Sequence, residues 1–497
     1  MRRLQPLVGF ALLLALTACG PGSDTTPQDD MGPEETTPVV EEDHHALLRA
    51  QLEPFDLEPL EMPPAQSEAK IELGRALFHD PIMSGSRDAA CVTCHRPEQA
   101  TVDHLSLPVG TAARVDPETG ARTPGPQLDF VSRNVPDLFN RGHDQTATMF
   151  WDTRLETVEI DGKTRFRLAD TNDSYSPDNY LRMMPEGLDN ILAAQNMLPV
   201  LNRLELRGSI SSVDSIDPNK PNELATVHDG DFEEVWRKVM KRLLDVEGYR
   251  QLFAAAYPDV PLEELSFVHA ANGISAFIIS SFTFIDSPWD RFIAGDDSAL
   301  TVQQARGARL FYGKARCASC HNGELFTDNK FHNIGARPLG RGPDKTEFMD
   351  RGAAHRSVAG PDFSFAFRTA PLRNVELTPP YMHNGIYSDL ETVVRHKTDI
   401  RTYLRSYDYT QIRPEFQRLV HHDPERLAVV EMTLSPILAD GVDLTDQEID
   451  DIVAFLKALT SPSARDLAHT RPDSVPSGLE IPNPPPPRDV DEPDVME

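Results

Sequence analysis

Two short strings constrain this chain more than any other feature: Cys91-Val92-Thr93-Cys94-His95 and Cys317-Ala318-Ser319-Cys320-His321. Two thiols at this spacing form thioethers with the vinyl groups of a haem, and the histidine that follows reaches the iron. Two copies predict two covalently attached haem c groups. Cys91, Cys94, Cys317 and Cys320 are the attachment points, and His95 and His321 are the iron ligands. A zinc site would need four ligands converging from separate motifs. A redox-active thiol pair would have no use for a histidine in the same place in both copies. The chain has five cysteines, and the fifth is Cys19. None remains for a structural disulfide, so stability must come from core burial and from the cofactors.

The N-terminus reads as a processing signal. Arg2 and Arg3 precede an apolar run from Leu7 to Leu16, too short to span a bilayer, and the run ends at Thr17-Ala18-Cys19. The small residues before Cys19 resemble a bacterial lipobox, which implies an exported protein with Cys19 lipidated. Gly20, where an aspartate would retain the protein in the inner membrane, points to the outer membrane facing the periplasm. The formal net charge is −30 with a pI near 4.9, which disfavours nucleic acid and suits a basic electron donor.

The layout predicts five segments: a signal peptide over 1–19, a disordered acidic tether over 20–62, haem domains over 63–295 and 296–465, and a Pro-rich acidic tail over 466–497. Both haem domains carry the same lead-in. Leu73-Gly74-Arg75-Ala76-Leu77-Phe78 precedes the first haem motif, and Arg306-Gly307-Ala308-Arg309-Leu310-Phe311 precedes the second. This is an internal duplication of a small helical module. Helical periodicity covers Phe232 to Tyr257 and Leu444 to Leu459, the latter with Thr445 as N-cap and Glu448 three residues on. Leu265 to Phe284 reads as a buried core helix, and Glu159 to Arg167 as a hairpin around Asp161-Gly162. The fold class is mostly α, with two cytochrome c-like haem domains packed against each other.

The motif series resembles the bacterial di-haem cytochrome c peroxidase and MauG family. The residues that carry the resemblance are Leu73 to Pro81, Arg133-Asn134-Val135-Pro136 and Phe150-Trp151-Asp152-Thr153-Arg154 in the first half. In the second they are Leu372 to Thr378 and Pro380-Tyr381-Met382-His383-Asn384-Gly385. The resemblance covers roughly residues 68 to 462. It implies that the haem on His95 is the peroxide site, that the haem on His321 takes in and stores electrons, and that Trp151 bridges them. It implies Gln195 and Glu205 as the pair that moves protons during peroxide cleavage, a task that needs a carboxyl tuned toward neutrality. It also implies a calcium ion between the haems, at Asn134 and the carbonyls of Thr369 and Pro371.

Two departures from the family pattern stand out. Thr111, in Leu107-Pro108-Val109-Gly110-Thr111, occupies the place of a distal histidine. The His95 haem then lacks a strong sixth ligand unless His104 or His143 supplies it. At the second haem the sixth-ligand position falls on Lys397 or its neighbour His396, with Met382 a weaker alternative. The leading expectation is a peroxidase that reduces hydrogen peroxide with electrons from a small periplasmic cytochrome c or cupredoxin. The alternatives are a MauG-like oxidase of Trp or Tyr on a partner protein, and a non-catalytic electron-transfer cytochrome. The remaining histidines His44, His45, His228, His421 and His422 read as surface residues.

Overall fold

The duplicated lead-in is a helix-crossing device. In the computed structural model, which describes residues 42–116, 120–169, 181–343, 349–355 and 363–482, the first lead-in forms the helix Glu68–His79. It crosses the long apolar helix Phe267–Phe282 so closely that a Cβ on Gly74 would lie 1.9 Å from the Gly273 carbonyl oxygen. The second forms the helix Val302–Phe311, which crosses Asp446–Ala458, and a Cβ on Gly307 would lie 1.8 Å from the Asp451 carbonyl oxygen. One turn beyond each glycine a phenylalanine seals the crossing. Phe78 packs on Phe277 and Phe311 on Phe455, each with centroids 5.2 Å apart. Only glycine lets two backbones approach this far, so the repeated Gly-x-x-Leu-Phe records a repeated packing requirement.

Two large cores follow from the two crossings. The first gathers Leu73, Leu77, Phe78, Phe253 and Phe282; the second gathers Trp289, Phe292, Phe311, Phe326 and Phe455. Trp289 and Phe292 already belong to the second core, so the change of core falls ahead of the expected boundary at 295/296. The pattern from Phe232 to Tyr257 is two helices, Phe232–Leu244 and Glu247–Ala256. Thr445 and Glu448 form the expected capping box on Asp446–Ala458. Leu155–Ile160 and Lys163–Ala169 pair antiparallel across Asp161-Gly162, inside a four-stranded sheet.

Both presumed tails are shorter than expected, because each carries apolar residues that a core accepts. The tether does not extend to residue 62. His44–Leu52 is a helix with Leu48 and Leu52 buried in the second core, and Arg49 donates to the Phe292 carbonyl. The tail does not begin at 466. Leu467, Val475 and Ile481 are buried in the first core, and Ser477 Oγ donates to Asp80 at 2.7 Å. The start of the described chain thus packs on the second module and its end on the first. The signal peptide with Cys19, the early tether and residues from 483 onward lie outside the described residues. Among the described residues no helix is long and apolar enough to cross a membrane.

Candidate functional site

Each haem motif folds into a single helical turn that presents its histidine in the same way. Cys91–Cys94 is a one-turn helix, and His95 Nδ1 bonds the Thr101 carbonyl at 3.1 Å. Cys317–Ser319 is a 3₁₀ turn, and His321 Nδ1 bonds the Phe326 carbonyl at 3.1 Å. An Nδ1–H committed to a carbonyl leaves Nε2 as the lone-pair nitrogen, the tautomer that ligates iron. Burial lowers both imidazoles to about 4, so both are neutral. Burial also pushes the Cys91 thiol up to about 12 and Cys317 to about 11. All four thiols are free and half-buried.

The second motif opens on a cavity of about 230 Å³ whose wall fits a porphyrin. Cys317, Cys320 and His321 line it together with apolar Leu372, Val393, Val394 and Leu456. Trp151 lies in the same wall, and its indole Nε1 donates to the Asn134 carbonyl at 3.0 Å. The Asn134 amide in turn donates to the His383 carbonyl at 2.8 Å, so a hydrogen-bonded path joins Trp151 to the second half of the chain. Asn134, Thr369 and Pro371 all line this cavity. The Thr369 carbonyl also accepts from Thr327 Oγ1 at 2.7 Å.

Of the two expected sixth ligands, the structure favours one. His396 is fully buried with both nitrogens engaged: Nδ1 with Tyr387 Oη at 2.9 Å and Nε2 with the Ile334 carbonyl at 2.7 Å. It has no lone pair for iron. Lys397 lines the cavity beside Cys317 and His321, and burial lowers its ammonium toward the neutral form, opposed by the two nearby thiols.

At the first motif, Glu205 sits in a π-helical turn, Arg203–Arg207, that starts at Asn202. Asn202 Oδ1 accepts from the Leu204 amide, and its Nδ2 donates to Glu205 Oε1 at 2.7 Å. The flanking arginines are taken by another carboxylate: Arg203 and Arg207 both pair with Asp229. Burial therefore raises the Glu205 carboxyl above the usual carboxylate range, only partly offset by Arg154 and Asn202. Its charge helps to raise both the Cys91 and Cys94 thiols. The loop ending at Thr111 packs backbone-to-backbone on Glu205. Thr111 N donates to the Glu205 carbonyl at 2.8 Å, and its hydroxyl donates to Asp88 at 2.6 Å. Gln195 is half-buried on the helix Ile191–Asn196. His104 Nδ1 bonds the Pro379 carbonyl at 2.7 Å, and His143 lies against Asp144 at 2.9 Å.

Two groups near Trp151 escaped the sequence reading. His383 is stacked on Phe367 with ring centroids 3.5 Å apart, lines the cavity, and is lowered to about 3 by burial. Its signal was its place in the quoted Tyr-Met-His-Asn-Gly string. The second is a buried ion network: Arg133 pairs with Asp152 at 2.7 Å and with Asp350 at 2.5 Å. Nothing in the sequence near Asp350 marks it as that partner. Several histidines read as surface residues are tied down as well. His45 bonds the Leu300 carbonyl, His421 bonds the Gly340 carbonyl, and His44 accepts from Arg309.

Fold and site together define a helical c-type cytochrome with two haem-attachment motifs. The family model for di-haem cytochrome c peroxidase matches residues 68–298 of this chain. The chain is 26% identical over 336 residues to the methylamine utilization protein MauG of Methylophilus methylotrophus, covering 66% of this chain and 71% of that protein. It is 27% identical over 373 residues to cytochrome-c peroxidase IdrP2 of Pseudomonas sp. (strain SCT), covering 70% and 78%. It is 26% identical over 330 residues to the cytochrome c551 peroxidase of Pseudomonas aeruginosa, covering 66% and 71%. In fold it is similar to the crystal structure of a MauG-like protein associated with microbial copper homeostasis. That match has a TM-score of 0.53 at 24% identity and covers 83% of this chain and 96% of that one.

Proposed function

We propose that this protein is a periplasmic di-haem peroxidase, lipid-anchored at Cys19, that reduces hydrogen peroxide to water with electrons from a small cytochrome c or cupredoxin. The observation that carries the reading is Glu205, a half-buried carboxyl that accepts from the Asn202 amide and is held above its ordinary value by desolvation. Two haems, when bound, would supply the redox chemistry, one as the peroxide site and one as the electron store. His95 and His321, whose Nδ1 atoms are bonded to carbonyls, would hold the irons. Glu205 takes the proton from the near oxygen of peroxide and returns it to the departing oxygen, the work of a carboxyl with a raised pKa. Gln195 orients the peroxide. Trp151 would carry charge between the modules, and Lys397, in the wall of the same cavity, is the further residue that would hold the second iron. Calcium between the modules would take the oxygens of Asn134, Thr369 and Pro371, donors suited to a hard cation.

Glu205→Gln preserves shape and removes the exchangeable proton. Peroxide-dependent oxidation of a reduced small cytochrome c should fall by about 10²–10⁴-fold, with the Soret band unchanged. An unaltered rate would contradict the assignment.

One observation favours a second reading. Thr111 is tied to Asp88 and Glu205 where a distal histidine would stand, which suits a MauG-like oxidase acting on Trp or Tyr of a partner protein. Steady-state turnover separates the two. Fast peroxide reduction with reduced cytochrome c supports the peroxidase; slow turnover with long-lived oxidised haem supports the oxidase.

A further inference from the structure

A ladder of phenol rings leads away from the second-motif cavity. Met382 and Val393 line that cavity and also pack into the apolar cluster that holds Tyr387, Tyr403, Tyr407 and Tyr409. Tyr387 is 1% exposed, and its backbone carbonyl accepts from the amide of Tyr381, another cavity-lining residue. From Tyr387 the rings step outward. The Tyr387 and Tyr407 centroids are 6.1 Å apart, Tyr407 and Tyr409 5.4 Å, and Tyr409 stacks on His422 at 5.6 Å with 25° between planes. His422 is exposed.

The hydroxyls divide these phenols by chemistry. Tyr387 Oη faces His396 Nδ1 at 2.9 Å, and the His396 Nε2–H is held by the Ile334 carbonyl, so Nδ1 is the acceptor. Tyr409 Oη faces His422 Nδ1 at 2.7 Å. Tyr407 Oη donates to the Ile386 carbonyl at 2.5 Å, an oxygen that accepts a hydrogen bond but cannot take the proton. A phenol loses an electron at accessible potential only if its proton has somewhere to go. The outer tyrosine has an imidazole for that purpose in His422, and the inner rings connect to it by contact. Simple core filling does not need that imidazole, because His422 is exposed and free to bond water instead.

We propose that Tyr387, Tyr407 and Tyr409 form an exit path for oxidising equivalents, which makes the Tyr409–His422 pair a second, surface site of one-electron oxidation. The proposal rests on the peroxidase reading, because the oxidant is the peroxide-oxidised haem held by Cys317 and Cys320. One electron passes to it from Tyr409 through the ring contacts of Tyr407 and Tyr387. Tyr409 is left as a neutral radical with its proton on His422. An external one-electron donor, such as a small phenol, then restores Tyr409, and His422 returns the proton.

The test uses the haem-loaded full-length protein, treated with peroxide without a donor in the presence of a nitroso spin trap, with adducts mapped by peptide mass spectrometry. The expected result is an adduct on Tyr409, lost in Tyr409→Phe and also in Tyr407→Phe, where Tyr409 itself is intact. The Soret band and peroxide consumption of both variants should match the parent. Consumption of peroxide with no adduct on Tyr409, or an adduct that persists in Tyr407→Phe, would overturn the path and leave the peroxidase reading standing. Failure of the parent to consume peroxide would overturn both.

Discussion

Whether a histidine or a lysine completes the second iron's coordination turns on two hydrogen bonds. The sequence leaves His396 and Lys397 as adjacent choices, because an uncertainty of one residue in helix register cannot be resolved from periodicity. Both nitrogens of His396 are engaged, by Tyr387 and Ile334, and this supports Lys397 as the ligand in the proposed reading. Lys397→Met should therefore change the low-spin spectrum of the second haem and raise its reduction potential, since thioether ligation favours the ferrous state more than amine. A spectroelectrochemical titration identical to the parent would exclude lysine as ligand. Glu205 was marked by the resemblance rather than by its local surroundings. Its neighbours Arg203 and Arg207 invite a surface ion pair, yet both are drawn to Asp229, and the carboxyl between them is half-buried and bonded to Asn202. That partner choice depends on a residue more than twenty positions away, which no local pattern encodes.

At the scale of elements, the two Gly-x-x-Leu-Phe strings translated directly into geometry, because a close helix crossing leaves one residue type available at the contact. Gly307→Ala would force a methyl group into the Asp451 carbonyl oxygen. It should destabilise the protein by about 1–3 kcal/mol or more, read as a lower thermal midpoint, while an alanine at exposed Gln303 should cost little. The crossing assignment would be wrong if Gly307→Ala melted with the parent. The helix His44–Leu52 and the segment 467–481 were not legible as ordered structure. Their leucines and valines are sparse within acidic, proline-rich surroundings. They order because distant cores offer them burial, an override of composition by tertiary contact.

At the scale of the whole molecule, the two halves are joined around Trp151 by the indole's bond to Asn134, the Asn134–His383 link, and the buried pairing of Arg133 with Asp152 and Asp350. Arg133 is the cation both carboxylates share, and removing it leaves two buried acids without that partner. Arg133→Met should thus cost about 3–5 kcal/mol in a denaturant melt. Arg133 also holds the Asp152 carboxyl down at about 2 against an ordinary value of 3.8. A depressed carboxylate contributes stability that is complete above its unfolded pKa and is lost as pH falls through the folded one. The network should therefore weaken between about pH 4 and pH 2. In Asp152→Asn, that part of the acid dependence should disappear.

The account as a whole requires an open iron on His95 beside a filled one on His321, exchanging charge across a single indole. Electron paramagnetic resonance of the resting, fully oxidised protein tests this most directly. The proposed function predicts two ferric signals of equal weight, one high-spin from the haem that His95 would hold and one low-spin from the haem that His321 and Lys397 would hold. Two low-spin signals, with no high-spin component at any neutral pH, would contradict it.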